Sequence, residues 1–164
     1  MPSNYRVEDA ERAAREFLDA WAVGNYDAMY ARLSFNSQEA APREQFIRLY
    51  TNAAEVMTLV TISYTANTLA RSREGLAAFN YDLIFHTERF GDIPDTGRNL
   101  NIVVDERALE WRIAWTPADV IAQLAGGGSF RLETIPPNRA NIYDREGVTL
   151  ADQNGRVAIV NVTR

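Results

Sequence analysis

Apolar residues in the first third of the chain recur every three to four positions, the spacing of an amphipathic helix. Residues 7–23 predict a first helix, which Gly24-Asn25 caps at its C-terminal end. A short second helix follows, and Pro42 suits the first turn of a third. The inner faces of the three helices are Val7, Ala10, Ala14, Phe17, Leu18 and Trp21; Tyr26, Met29, Tyr30 and Leu33; and Phe46, Leu49, Tyr50 and Ala53.

The pattern then changes to strict alternation of apolar and polar residues, which is typical of half-buried antiparallel strands. It predicts strands at 58–65, 76–87, 99–105 and 108–115, with a long turn-rich connection at 91–97. The core-facing residues of the four strands are Val60, Ile62 and Tyr64; Phe79, Tyr81, Leu83 and Phe85; Leu100, Ile102 and Val104; and Leu109, Trp111, Ile113 and Trp115.

This order of elements predicts an α+β domain in which three helices pack on a curved four-stranded antiparallel sheet. We assign this domain to residues 1–117 and expect the first helix to pack on the sheet face that carries Trp111. Residues 118–129 form a linker with a short helix over roughly 117–125 and a Gly-Gly-Gly-Ser end. Residues 130–164 form a three-strand β meander, in which Asn154-Gly155 marks one hairpin.

Composition excludes several kinds of chemistry. The net charge is −5, which gives no basic surface for nucleic acid. All 17 basic residues are arginine, so Schiff-base chemistry, the phosphate-binding loop and the Ser-x-x-Lys motif of transpeptidases are excluded. Cysteine is absent too, which removes disulfides and thiolate metal sites. We predict no cofactor and no metal ion.

The one acid–base pair to consider is His86 with Asp82, on the same face of the second predicted strand. That face lies opposite the aromatic one, so we expect both side chains to meet solvent. Ser63 is the serine that strand pairing could bring to His86. Tyr64 is a further pocket candidate, together with Tyr81, Trp111 and Trp115, although aromatic residues at strand spacing favour a core position.

Residues 139–151 form a compact motif near the C-terminus, with one short strand, a tight turn and a second strand. Asp144 suits the entry to the turn, and Gly147 can take the positive φ that ends it. Two arginines flank Asp144 and could form an ion pair that fixes the hairpin. The motif resembles the signature that opens the pedestal (dimerisation) module of class B penicillin-binding proteins, with Ala140 in place of the usual glycine. The matching residues are Arg139, Ile142, Asp144, Arg145, Gly147, Leu150 and Ala151.

Three segments of the first domain, 17–30, 43–46 and 110–117, resemble the N-terminal domain of methicillin-resistance-type penicillin-binding proteins. Pro42 and Thr116 stand where that family has serine. The resemblance implies a nuclear-transport-factor-2-like (NTF2-like), cystatin-like cone. Some enzymes with this fold, such as ketosteroid isomerases and scytalone dehydratase, use residues inside the cone.

The resemblance implies a non-catalytic spacer or docking fragment of a transpeptidase that cross-links peptidoglycan. Its partners would be the pedestal and transpeptidase domains of its own polypeptide, and other cell-wall synthesis proteins. We expect a location on the extracytoplasmic face of the bacterial membrane, with an anchor ahead of this chain. We also expect the C-terminal tail to pair with a second copy. The alternative is a free-standing cone-fold enzyme or small-ligand-binding protein that uses His86 and Asp82.

Overall fold

The computed structural model describes residues 5–73, 75–122, 124, 133 and 141–151. Its elements begin with four helices: α1 (Val7–Ala22), α2 (Tyr26–Ala31), α3 (Phe35–Ala40) and α4 (Arg43–Met57). Four strands follow: β1 (Leu59–Arg73), β2 (Leu76–Thr87), β3 (Gly91–Asp105) and β4 (Glu110–Ile113). A 3₁₀ turn (Pro117–Asp119) and the short strands β5 (Ile142–Tyr143) and β6 (Thr149–Ala151) complete the described elements.

The structure contains the three predicted helices, α1, α2 and α4, and one further helix. Gly24 ends α1 with a positive φ of 68°, and the Asn25 side chain accepts a hydrogen bond from Ala28 N to cap α2. The added helix is α3, whose N-cap Ser34 accepts from Ser37 N at 3.3 Å. Its sequence has little apolar periodicity, so the pattern alone predicted three helices where the described residues contain four.

The four long strands form one antiparallel sheet in the order β1-β2-β3-β4. The β1–β2 register shifts at three places and the β2–β3 register at one, and such bulges bend strands and increase their twist. The helices pack on the concave side of this half-barrel. The α+β prediction is therefore confirmed.

Four details of the strand prediction were wrong. The first predicted strand ended at residue 65, whereas β1 (Leu59–Arg73) continues eight residues further. Residues 91–97 belong to β3, because residues 91–95 pair with residues 83–87 of β2. Since β4 pairs only with residues 102–105, the other side of this stretch is an edge that tolerates Pro94. Val60 is exposed, since the bulge between Leu59 and Thr61 turns it outward. Leu109 is also exposed, in a turn with a left-handed φ of 54°.

The core lies between the helices and the inner face of the sheet. Phe17, Leu18 and Trp21 of α1 join Trp111 and Ile113 of β4 in one buried cluster, as expected. All four core-facing residues predicted for β2 are buried as well. The apolar area removed from water by this cluster is the main stabilising contribution to the domain.

The chain divides into two compact units, Met1–Arg131 and Leu132–Arg164. In the second unit, β5 pairs with β6 in an antiparallel hairpin. The third strand predicted for the meander and the Gly-Gly-Gly-Ser segment lie outside the described residues. Within the part of the chain that the structure describes, no helix is both long and apolar enough to cross a bilayer.

Candidate functional site

His86 lies on the outer face of the sheet, between polar side chains of the two neighbouring strands. Its Nε2 atom is 2.8 Å from Ser63 Oγ on β1, and its Nδ1 atom is 2.7 Å from Asp92 Oδ1 on β3. The register explains both contacts, because His86 pairs directly with Asp92 and lies diagonally opposite Ser63. With a neutral imidazole, Nδ1–H donates to the carboxylate and Nε2 accepts from the hydroxyl.

Asp82 is not the partner of His86. Its Oδ1 atom accepts a hydrogen bond from Gly97 N at 2.7 Å, across the bulge that Thr96 and Gly97 make in β3. This bond and one from the Asn67 side chain hold the pKa of Asp82 below its ordinary value. The acid that faces His86 is thus Asp92, in a stretch for which the sequence predicted a loop.

The Ser63, His86 and Asp92 side chains, here called the outer-face triad, meet two of three requirements for a serine nucleophile. The serine contacts a base, and the base contacts an orienting carboxylate. The third requirement is a set of backbone donors for the developing oxyanion. Ser63 lies inside a regular stretch of the β1–β2 ladder, whereas hydrolases present such a serine on a sharp strand-to-helix turn.

Tyr64 is on the opposite side of β1 from Ser63, and its hydroxyl donates to Asp19 Oδ1 on α1 at 2.8 Å. Burial raises the pKa of Tyr64, and Asp19 raises it further. The contact fastens the first helix to the sheet. The structure therefore separates Tyr64 from the His86 candidate.

Aromatic side chains fill the interior of the cone. The rings of Phe46 and Trp115 are 5.0 Å apart, those of Trp21 and Tyr50 are 5.1 Å apart, and Trp115 Nε1 donates to Tyr50 Oη at 3.0 Å. Burial raises the pKa of Tyr81 to about 12 and also raises that of Tyr50 well above its ordinary value, so both stay protonated. Tyr81, Trp111 and Trp115 are core residues, as the strand spacing favoured.

Sequence reasoning missed a charged residue in this interior. The side chain of Arg98 is only 8% exposed, and its guanidinium lies over the rings of Trp21 and Tyr81 at 5.7 and 5.6 Å. It also contacts Asp95 Oδ2 at 3.1 Å. The signal was available, because position 98 continues the inward alternation of Leu100 and Ile102. The predicted strand began one residue too late to include it.

The C-terminal motif is described from residue 141 onward. Asp144 Oδ1 accepts from the backbone N–H groups of Glu146 and Val148 at 2.8 Å each, and Gly147 has a φ of 82°. Arg145 is nearly fully exposed and lies 3.8 Å from Glu146. Backbone donors, not the expected ion pair with Arg145, therefore occupy the Asp144 carboxylate. Arg139 lies outside the described residues.

The motif's remaining positions form the hairpin itself. Ile142 pairs with Ala151 across the two strands, and Leu150 is exposed, as is Ile142. These contacts make the turn a structural feature of the tail. A role for it in a larger module stays a prediction.

Residues 9–127 match the model of the NTF2-like N-terminal transpeptidase domain family. The chain is also similar to penicillin-binding protein 3 of Bacillus subtilis (strain 168), with 21% identity over 149 residues. That alignment covers 89% of this chain and 22% of the relative, so the chain spans about a fifth of the relative's length.

Among solved structures, a ketosteroid isomerase-like protein from Erwinia carotovora atroseptica SCRI1043 superposes with a TM-score of 0.50 at 15% identity. The superposition covers 68% of this chain and 92% of that protein. At this identity the likeness shows the shared fold alone.

Proposed function

Because the chain belongs to the NTF2-like N-terminal transpeptidase domain family, we propose that it is a non-catalytic N-terminal fragment of a penicillin-binding transpeptidase. The observation that carries the proposal is the family match over residues 9–127, together with similarity to a penicillin-binding protein of which the chain spans only a part. The parent would transfer an acyl group through a serine located in a further domain, and would act in cell-wall synthesis.

The packing of the cone supports a non-catalytic role. Enzymes with related folds place reacting groups in an open interior, whereas here aromatic rings, the Arg98 guanidinium and Val120 occupy it. The tyrosine hydroxyls in this interior have raised pKa values and are poor proton donors or acceptors at neutral pH. A packed interior of this kind supports a structural role better than it supports an active-site cavity.

We propose that the domain holds the transpeptidase away from the membrane, on its extracytoplasmic side, and offers a docking surface to other wall-synthesis proteins. The test replaces residues 5–122 in the parent gene with an unrelated compact domain of similar size. A spacer role predicts that penicillin still acylates the purified altered parent, and that cells carrying the altered gene grow like cells carrying the unaltered gene. Normal acylation without growth would indicate that the domain acts as a docking surface. Loss of acylation would contradict a non-catalytic role.

The outer-face triad favours a second candidate function, ester or amide hydrolysis by Ser63. The test is hydrolysis of an activated ester such as p-nitrophenyl acetate by the chain and by Ser63→Ala, with Asp82→Asn as the matched carboxylate control. The non-catalytic proposal predicts equal, background rates for all three proteins. A rate lost in Ser63→Ala and kept in Asp82→Asn would establish the hydrolase instead.

A further inference from the structure

After β4 the chain forms a 3₁₀ turn and packs against the core of the first unit. We call residues 116–122 and 124 the strap. Its first turn is a capping box, in which the Asp119 carboxylate accepts from Thr116 N at 2.7 Å and from Thr116 Oγ1 at 3.3 Å. Val120 and Leu124 are buried and belong to the core cluster. The strap therefore contributes two apolar side chains to the core.

Arg98 is the polar contact between the sheet and the strap. Its Nη2 atom donates to Asp119 O at 2.5 Å, and its Nη1 atom donates to Val120 O at 3.2 Å. The Asp95 carboxylate balances its charge at 3.1 Å. A guanidinium can make all these bonds at once because its donors form a planar fork, which a lysine ammonium does not provide.

These contacts are unusual for a purely stabilising arginine. Removing a cation from water is costly unless it is paired and fully hydrogen-bonded, and a Leu or Met would fill the same space without that cost. Two of the acceptors are main-chain carbonyl groups of the strap, which an apolar side chain could not hold. Burial raises the pKa of Asp119, and hydrogen bonds from Thr116 together with the Arg98 charge offset only part of that rise. The Asp119 carboxylate thus accepts hydrogen bonds within the first turn of the strap, while Arg98 donates to the main-chain carbonyl group of the same residue.

We propose that Arg98 is a clamp that holds the strap against the sheet and fixes the path of the chain after β4. The domain thus uses its interior to hold a segment of its own chain. The biological use of the clamp rests on the spacer role proposed above, because a spacer has to keep one defined conformation. The clamp itself is a property of this chain and can be tested on it alone.

The test is amide hydrogen exchange on the whole chain, comparing Arg98→Met with a matched control, Arg112→Met. Arg112 also donates to two main-chain carbonyl groups at 3.1 Å each, but these belong to Ala31 and Leu33 and not to the strap. Loss of two charge-assisted bonds should accelerate exchange of the Asp119, Val120 and Leu124 amides about ten- to a hundredfold in Arg98→Met. Arg112→Met should instead accelerate the Leu33 and Ser34 amides and leave the strap unchanged.

Arg98→Lys covers the case in which the methionine variant does not fold. Lysine keeps the charge but cannot span both carbonyl groups, so the strap amides should still exchange faster while the β2–β3 ladder stays protected. Strap protection equal to that of the unaltered chain in the variants that fold would overturn the clamp. Uniformly faster exchange in every element would also overturn it, since that result indicates general stabilisation only. Neither outcome affects the acylation test of the proposed function.

Discussion

At the scale of single residues, two buried tryptophans of the same core differ in one hydrogen bond. Trp115 Nε1 donates to Tyr50, whereas Trp111 Nε1 finds no acceptor among the described residues although it is buried. Burying a donor without a partner costs free energy, and losing a made bond leaves its partner unsatisfied. Comparing the two positions therefore separates the contribution of indole packing to stability from the contribution of the indole N–H group.

We predict that Trp115→Phe lowers the free energy of unfolding by about 0.5–1.5 kcal/mol more than Trp111→Phe does. Both changes remove the same volume, so the difference reflects the Tyr50 hydrogen bond lost at Trp115 together with the unpaired donor removed at Trp111. Trp111→Ala should cost about 3–5 kcal/mol as a large-to-small core change. Denaturant unfolding of the three variants provides these values. Equal costs for the two phenylalanine variants would show that the Tyr50 bond contributes nothing net.

Asp105 is a buried carboxylate that holds the turn before β4 against α3. Its Oδ2 atom accepts from Phe35 N at 2.7 Å, and its Oδ1 atom accepts from Arg107 N and Ala108 N. Burial works to raise the pKa of Asp105, but these three backbone donors and the Arg107 charge outweigh it and leave the pKa below its ordinary value of 3.8.

Asp105→Asn should lower the free energy of unfolding at pH 7 by about 1–3 kcal/mol, because the amide NH₂ group would face one of the three donors. A lowered folded pKa stabilises the fold above 3.8, and this contribution disappears as the pH falls through the folded value. The difference between the two proteins should therefore shrink below pH 3.8. Glu106→Gln, at the exposed neighbouring carboxylate, serves as the control and should show no such trend.

At the scale of elements, the sequence predicts helices and strands well where their apolar residues follow one clear helical or strand period. The apolar stripes of α1, α2 and α4 and the alternation in β2 identify these elements and their buried faces. It predicts less well where a tertiary contact decides the structure. The helix α3 depends on Ser34 as a cap and on Asp105, which is 70 positions away along the chain. The start of β3 depends on its pairing with residues 83–87 of β2.

The outer-face triad could be predicted only in part for the same reason. Alternation places Ser63 and His86 on one face, but Asp92 joins them only through the β2–β3 register. Nothing in residues 91–97, with their Gly and Pro, indicates a strand. Arg98 is the opposite case, because its inward position follows from the alternation once β3 is extended by a residue.

Leu109 permits a test of the turn before β4. It is a non-glycine residue with a left-handed φ, a conformation that costs about 1–2 kcal/mol for an ordinary side chain. Leu109→Gly should raise the melting temperature by about 2–4 °C, because about 1 kcal/mol of strain is relieved in a domain of this size. Leu109→Ala keeps the strain and should give no increase. The same melting temperature for both variants would contradict the strained turn.

At the scale of the whole molecule, the C-terminal tail carries exposed apolar residues that its own hairpin does not cover. They are Ile142, Tyr143, Val148 and Leu150. A two-stranded hairpin is marginally stable alone, and its edges can accept further strands. The pairing of tails between two copies remains our prediction for this chain.

If the tails pair, the apparent mass in sedimentation should rise with protein concentration. The double variant Ile142→Asp, Leu150→Asp should remain a monomer, because two charges at the paired edge would have to be buried. Val23→Asp changes an even more exposed apolar residue of the first unit and should associate like the unaltered chain. A chain that stays monomeric at all concentrations would refute tail pairing.

We infer that this chain is the non-catalytic part of a penicillin-binding transpeptidase. The most direct measurement is labelling of the full product of the gene with a fluorescent penicillin, followed by mapping of the labelled peptide by mass spectrometry. We predict one covalent adduct, on a serine outside residues 1–164. A gene product that takes no label, or an adduct on any serine of this chain, such as Ser63, would contradict it.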